Sequence, residues 1–223
     1  MPDLAELLQW VRLGADSFTK VLAAENDDRL TEQSTLPGWT RGDVVAHVTD
    51  VMEECAAALS ATTKPAGPDS SGERTATVLR ENYRQAASAL QTALAARPNR
   101  SDWKDSVTVR AEELPSEGVL WLLARELMVH ATDLGGEVSF GDLPNDFLGA
   151  LIDDIVRHRA GGDSPALEIL SQDTGEAWRL EGSGEPLRVM ALASDMGAWL
   201  AGREGGKVKV LGPGELPTLS PWL

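Results

Sequence analysis

Four long segments of this chain repeat apolar residues every three or four positions, and this period constrains the fold more than any other feature. In the first segment, 3–25, the repeated side chains are Leu4, Leu7, Leu8, Val11, Ala15, Phe18 and Leu22. The same spacing predicts amphipathic helices over 41–61, 74–97 and 116–134. A helix with one apolar stripe must bury that stripe against other elements, so the four segments together predict a four-helix bundle.

The period changes after a fifth predicted helix over 145–159. The elements expected beyond it are strands over 166–170, 177–180 and 207–211 and a helix over 189–201. We therefore expect an α+β chain with two domains. The expected division is a four-helix bundle over 1–160 followed by a small C-terminal α/β domain over 161–223.

The charge balance narrows the classes of ligand. The chain has 35 Asp and Glu against 20 Lys and Arg, a formal net charge of −15. Such a field repels phosphate backbones and anionic lipid surfaces, so we expect neither nucleic-acid nor membrane binding. No signal peptide is expected, since charged residues interrupt the apolar positions near the N-terminus, and no apolar run reaches the roughly 18 residues of a membrane span. Small molecules and proteins remain as partners.

The single cysteine, Cys55, indicates the redox state of the compartment and the reactivity expected of its thiol. One cysteine cannot form an intramolecular disulfide, so the sequence is typical of a reducing compartment, by default the cytoplasm. Its neighbours in Cys-Ala-Ala-Ala-Leu are apolar. We therefore expect an inert, packed thiol.

Two histidines and a glutamate lie on faces that should be buried. Glu126 and His130 are about 40° apart on the fourth helix and both fall within its apolar stripe. His47 lies at the edge of the apolar face of the second helix. Charged or polar groups on a buried face are costly unless they are paired or bind a cation. Two histidines and one glutamate form the ligand set of an open catalytic zinc site.

The three residues can bind one metal only if they lie at the same depth in the bundle. His47 lies about 9 Å from the start of its helix, and Glu126 and His130 lie roughly 8 to 13 Å from the end of theirs. The depths match if the second and fourth helices are antiparallel neighbours, which requires a crossover in a long connection, 62–72 or 98–115. The alternative is a core histidine and a separate intrahelical Glu–His pair. His158, near a helix end, is expected in solvent.

Several motifs carry a resemblance to a known family. The motifs are Leu-Pro-Gly-Trp-Thr-Arg-Gly-Asp-Val-Val-Ala-His-Val at 36–48, Arg-Glu-Leu-Met-Val-His-Ala-Thr-Asp-Leu-Gly at 125–135, Phe-Gly-Asp-Leu-Pro at 140–144, Ala-Gly-Arg at 201–203 and Pro-Trp-Leu at 221–223. Together they resemble the mycothiol-dependent maleylpyruvate isomerase family, a branch of the DinB-like metal-binding four-helix bundles. The resemblance spans both expected domains.

The resemblance implies a site and an activity. It implies that His47, Glu126 and His130 bind zinc and that Arg203, from the small domain, is a catalytic residue. The implied cofactors are zinc and mycothiol, a low-molecular-weight thiol. The implied reaction converts maleylpyruvate to fumarylpyruvate by addition and elimination of the thiolate. Arg203 suits such a dicarboxylate because a guanidinium binds carboxylate through two parallel hydrogen bonds, although a helix-end arginine that offsets the dipole is the alternative.

Two other functions remain open from the sequence. A thiol S-transferase would use the same ligands and keep the conjugate, and a non-catalytic protein would bind a metal or another ligand without turnover. Three protein ligands favour an open site over a closed structural one, which normally has four. Asp50 and Glu54, one and two turns beyond His47, are candidates for supporting the ligands or handling protons, or for a solvated face.

Overall fold

The computed structural model describes residues 2–62, 75–161, 164–203, 207–219 and 222. Its helices are α1 (Leu4–Ala24), α2 (Arg41–Leu59), α3 (Ala76–Ala95), α4 (Ser116–Asp133), α5 (Asn145–Arg159) and α6 (Ala193–Leu200). Its strands are β1 (Ser106–Val109), β2 (Glu112–Pro115), β3 (Pro165–Ser171), β4 (Ala177–Leu180), β5 (Ser183–Ala191) and β6 (Lys209–Val210). They form two compact units, Pro2–Val138 and Ser139–Leu223.

Helices α1 to α4 form the predicted bundle in the first unit. Helices α1 and α4 are parallel, because the ring of Trp10 near the start of α1 lies 6.0 Å from that of Trp121 near the start of α4. Further along both helices, Gly14 lies against Leu127 so closely that an added Cβ would come within 2.8 Å of the leucine Cβ. The missing side chain of Gly14 therefore allows close packing of the two helices.

Helices α2 and α4 are antiparallel neighbours, as the depth of the candidate ligands requires. At one end, the guanidinium of Arg41 at the start of α2 donates to the carbonyl of Leu134, which follows α4. At the other end, Arg97 after α3 donates both to the carbonyl of Leu59 at the end of α2 and to the hydroxyl of Ser116 at the start of α4. The same contacts make α2 and α3 parallel, so the predicted crossover lies between them; residues 63–74 of this connection lie outside the described part.

The start of α2 is fixed by a capping box. The hydroxyl of Thr40 accepts a hydrogen bond from the amide of Asp43, and the carboxylate of Asp43 accepts one from the amide of Thr40. These bonds satisfy donors that have no partner within the helix. The cap at Thr40 also sets the depth at which His47 lies on α2.

Strands β1 and β2 form a hairpin that contacts both α2 and α4. The weak alternation of apolar and polar residues over 103–110 predicts a short extended segment or a β-ribbon, and the structure forms the two-stranded ribbon. The two turn residues, Arg110 and Ala111, have φ values of 52° and 65°. A two-residue turn of this kind favours Asn and Gly, because other side chains are strained at positive φ by about 1–2 kcal/mol per residue.

The second unit contains a four-stranded sheet in the order β4-β3-β5-β6. Strand β3 pairs in parallel with β5 and antiparallel with β4, and β6 pairs antiparallel with β5. The predicted helix over 189–201 was therefore wrong in its first turn. Val189 pairs with Ile169 on one side and with Val210 on the other, so β5 continues to Ala191 before α6 begins.

The division between the units differs from the one expected after residue 160. Contacts divide the chain after Val138, because α5 packs against α6 and β4 within the second unit. The apolar period of a helix does not reveal which elements its apolar face packs against. The sequence pattern of α5 therefore does not locate the boundary between the two units. Among the described residues, no helix is long and apolar enough to cross a membrane.

Candidate metal centre

The three predicted ligands meet between α2 and α4. The Nε2 atom of His47 lies 3.0 Å from Oε2 of Glu126, and Nε2 of His130 lies 3.2 Å from the same oxygen. One ligand atom from each residue lies within 4.8 Å of the others. The two imidazole rings are 4.9 Å apart and nearly perpendicular. The structure thus brings together the residues that the helical faces indicated.

The site is closed on the α4 side and open on the α2 side. The side chains of Glu126 and His130 are 3% and 1% exposed, whereas that of His47 is 26% exposed. The indole of Trp39 packs edge-on against the His47 ring at 5.4 Å. Among the three residues, His47 is therefore the one that a ligand can reach from solvent, beside Trp39.

A buried carboxylate holds His130 in place. The Nδ1 atom of His130 lies 2.8 Å from Oδ2 of Asp133, which is fully buried one turn further along α4. The other oxygen of Asp133 accepts a hydrogen bond from the hydroxyl of Thr35 at 3.1 Å. Pairing Nδ1 with a carboxylate favours the tautomer with its proton on Nδ1, so Nε2 is left as the atom that can bind a metal.

The neighbouring groups shift the pKa values of the metal-free site. Burial alone would raise the pKa of Glu126, but its close contacts with His130 and His47 outweigh burial and hold this pKa below the usual range. Burial would lower the pKa of His130, whereas Asp133 and Glu126 raise it above its ordinary value. Glu126 is consequently an anion at neutral pH, as a metal ligand must be.

The geometry and the donors fit a divalent metal. Among the residues that the structure describes, Nε2 of His130 is buried and has no hydrogen-bond partner, since its approach to Glu126 is poorly aligned. Two donors of a tetrahedral zinc site are separated by roughly 3.3 Å when each bond is about 2.0–2.1 Å long. The separations of 3.0 and 3.2 Å found here are close to that value. A metal would satisfy the orphaned nitrogen.

A pocket opens along the face of α2 that carries His47. It has a volume of about 430 Å³. Its described lining residues are Gly38, Trp39, Asp43, Ala46, His47 and Asp50. Asp43, His47 and Asp50 are spaced by four and three residues, so they share one helical face. The pocket therefore combines a candidate metal ligand with an aromatic ring and two carboxylates.

The other residues singled out in the sequence are not among the three candidate ligands. Cys55 is fully buried, and burial raises the pKa of its thiol to about 12. His158 is exposed on α5. Arg203 lies in the second unit, where its side chain is largely buried and Nη1 donates to the carbonyl of Ala201 at 2.8 Å. Glu54 forms an ion pair with Arg110 at 2.9 Å.

Three residues near the site were not predicted from the sequence. Asp133 lies within the motif at 125–135, and its position three residues after His130 places both on one helical face, which is a signal for a contact between them. Thr35 and Arg110 gave no signal, because Thr35 reaches Asp133 and Arg110 reaches α2 only through the tertiary fold.

Comparison with known protein families identifies a family for most of the first unit. The model of the mycothiol maleylpyruvate isomerase N-terminal domain family matches residues 11–135, more than half of the 223 residues. No curated protein matches the sequence.

Solved structures share the fold over nearly the whole chain. A mycothiol-dependent maleylpyruvate isomerase superposes with a TM-score of 0.83 and 24% identity, covering 99% of this chain and 98% of the other. A variant described as its histidine-to-alanine mutant gives a TM-score of 0.85 and 23% identity with the same coverage. A DinB-like protein from Bacillus cereus gives a TM-score of 0.49 and 20% identity over 59% of this chain and 88% of its own. The chain belongs to the mycothiol maleylpyruvate isomerase N-terminal domain family.

Proposed function

We propose that this protein is a zinc-dependent and mycothiol-dependent cis-trans isomerase that converts maleylpyruvate to fumarylpyruvate. The observation that carries the proposal is the convergence of His47, Glu126 and His130 in a member of this family. Three protein ligands leave a coordination position for a reactant, whereas a structural zinc site normally uses four. The proposed reaction belongs in the cytoplasm, where a single unpaired cysteine is typical.

His47, Glu126 and His130 would hold the zinc, which when bound would supply Lewis-acid activation of a thiol to a nucleophilic thiolate at neutral pH. Glu126 contributes the negative charge of the ligand set, and His130 is oriented by Asp133. The pocket beside His47 gives a reactant access to the site.

Cys55 is not the nucleophile in this proposal. Its thiol is fully buried, and its pKa of about 12 leaves almost no thiolate at neutral pH. An external thiol is therefore required. This requirement separates the proposal from a mechanism in which the protein supplies its own sulfur.

Arg203 is proposed to bind a carboxylate of the substrate. The support is chemical, because a guanidinium pairs with carboxylate through two parallel hydrogen bonds. Its backbone amide donates to the carbonyl of Ala198 at 2.9 Å, and Nη1 donates to that of Ala201, so the residue is anchored near the end of α6. An arginine that only caps the helix would have the same anchors, and kinetics distinguish the two roles.

The decisive experiment follows maleylpyruvate by NMR with zinc-loaded enzyme, first without thiol and then with mycothiol below the substrate concentration. We expect no turnover until mycothiol is added, then complete conversion to the trans product with the thiol recovered. Consumption of one thiol per substrate would instead identify an S-transferase. Full turnover without thiol would contradict both activities, and inactivity under every condition would favour a binding protein. Cys55→Ala is the control and should remain active.

A further inference from the structure

Arg110 presents a guanidinium whose hydrogen-bonding capacity is largely unused. It lies at the tip of the β1–β2 hairpin, and its Nε donates to Oε2 of Glu54 at 2.9 Å. Its side chain is 42% exposed. Within the described part of the chain, neither of its Nη groups has a hydrogen-bond partner. Four N–H donors of the two Nη groups are therefore available at the hairpin tip.

The backbone at this position disfavours arginine. Arg110 has a φ of 52° and is followed by Ala111 at 65°. Glycine adopts such values without steric cost, so it would suit the turn better. Strain that persists at a well-fitted position often accompanies a functional side chain. A role for the side chain of Arg110 would explain why arginine occupies this strained position.

The hairpin places this guanidinium beside the candidate metal centre. Glu54, its partner, lies seven residues after His47 on α2, which is about 20° away on the helical face and about 10 Å along the axis. Strand β1 contacts both α2 and α4, the helices that carry the three ligands. Asp50, which lines the pocket next to His47, lies between them on the same face. Arg110 therefore stands at the end of this face, two turns from His47.

The charges around the pocket show what such a group could do. Asp43 and Asp50 line the pocket with two carboxylates, whereas the charge of Glu126 would be offset by zinc at the centre. A substrate with two carboxylates would be repelled by this surface unless a cation offset it. Arg41, at the start of α2, forms a buried ion pair with Glu25 at 2.9 Å. Arg110 is exposed and has Glu126 within its electrostatic reach.

We propose that Arg110 is a substrate-binding residue, whose Nη groups bind a carboxylate of the electrophile through two parallel hydrogen bonds. The substrate class of the site is then an anionic, carboxylate-bearing electrophile. This inference rests on the proposed function, which supplies an electrophile and a thiol. It adds an arginine from the hairpin of the first unit to the residues that recognise the substrate.

The test compares Arg110→Gln and Arg110→Lys with wild type at saturating mycothiol. We expect the KM for maleylpyruvate to rise roughly tenfold in Arg110→Gln and less in Arg110→Lys, which keeps the charge but loses the fork. The KM for mycothiol should stay within twofold. Arg84→Gln is the matched control, because Arg84 also pairs with a glutamate, Glu81 at 2.6 Å, but lies exposed on α3. It should behave as wild type.

A glycine variant separates binding from folding. Arg110→Gly relieves the strained φ, so its Tm should equal or exceed that of wild type, while its KM for maleylpyruvate rises as in Arg110→Gln. A KM within twofold of wild type in folded, zinc-loaded Arg110→Gln would overturn the inference. So would an equal rise in the KM for mycothiol, which would indicate a general disturbance of the site.

A binding measurement keeps the inference testable if the proposed function fails. Succinate, a dicarboxylate that cannot isomerise, is titrated calorimetrically into zinc-loaded wild type and Arg110→Gln without thiol. If wild type shows no turnover, a roughly tenfold weaker succinate Kd in the variant supports anion recognition by Arg110 and refutes only the isomerase. Equal Kd values, or no succinate binding to wild type, would overturn the inference in that case.

Discussion

Replacing Asp133 should weaken metal binding without any change to the ligands themselves. Asp133 is fully buried. Its carboxylate accepts hydrogen bonds from Nδ1 of His130 at 2.8 Å and from the hydroxyl of Thr35 at 3.1 Å. In Asp133→Ala, Nδ1 of His130 loses this partner, so the ring is free to rotate and its tautomer is no longer fixed. In Asp133→Asn, an acceptor oxygen remains but the negative charge is lost.

The size of the effect follows from these contacts. Loss of a carboxylate that orients a metal-binding histidine typically costs 10- to 100-fold in affinity, or about 1.4–2.7 kcal/mol. Because Asp133 is fully buried and bonds to His130 directly, Asp133→Ala should lie near the upper end. Asp133→Asn should lie near tenfold. Thr35→Val removes only one hydrogen bond to the carboxylate, so its loss should stay below tenfold.

The assay is zinc competition with a chromophoric chelator at constant pH, with Tm measured on each variant to confirm folding. Asp153→Asn is the control, because this exposed carboxylate on α5 pairs with Arg157 and is remote from the ligands in sequence. A zinc Kd for folded Asp133→Ala equal to that of wild type would refute the reasoning. An effect of Thr35→Val larger than that of Asp133→Ala would also do so.

Three further predictions concern the thiol, Arg203 and the helix packing. Iodoacetamide at pH 8 should label Cys55 far more slowly in the native protein than after unfolding, since its pKa is about 12; equal rates would contradict this. Arg203→Lys should lower kcat/KM roughly tenfold or more in a folded, zinc-loaded enzyme, and an unchanged value would leave Arg203 as a helix cap. Gly14→Ala should lower Tm, because the new Cβ would lie 2.8 Å from that of Leu127 and such overpacking costs about 1–3 kcal/mol. Gly118→Ala, whose Cβ meets only ordinary contacts, should raise Tm through helix propensity.

The helices and the three ligands could be predicted because they obey local rules. The apolar period fixed α1 to α4, and His47, Glu126 and His130 stood out as polar residues on apolar faces. Their meeting also required antiparallel α2 and α4, a condition that could be derived from depth alone. For these helices and ligands, the local sequence pattern was therefore sufficient.

Other features depend on contacts that no local pattern encodes. Val189 is in a strand because β3 and β6 pair on either side of β5, although its spacing with the residues of α6 also fits a helix. The strained turn at Arg110 and its ion pair with Glu54 arise from docking of the hairpin on α2. The division after Val138 follows from what α5 packs against rather than from its own sequence.

Metal content tests the central claim most directly. Elemental analysis of wild type, His130→Ala and His158→Ala, each purified with zinc and dialysed, measures zinc per chain. We expect about one zinc in wild type and in His158→Ala, whose histidine is exposed on α5, and little or none in His130→Ala, which loses one of three ligands. Stoichiometric zinc in folded His130→Ala, or none in wild type, would contradict a metal centre formed by His47, Glu126 and His130.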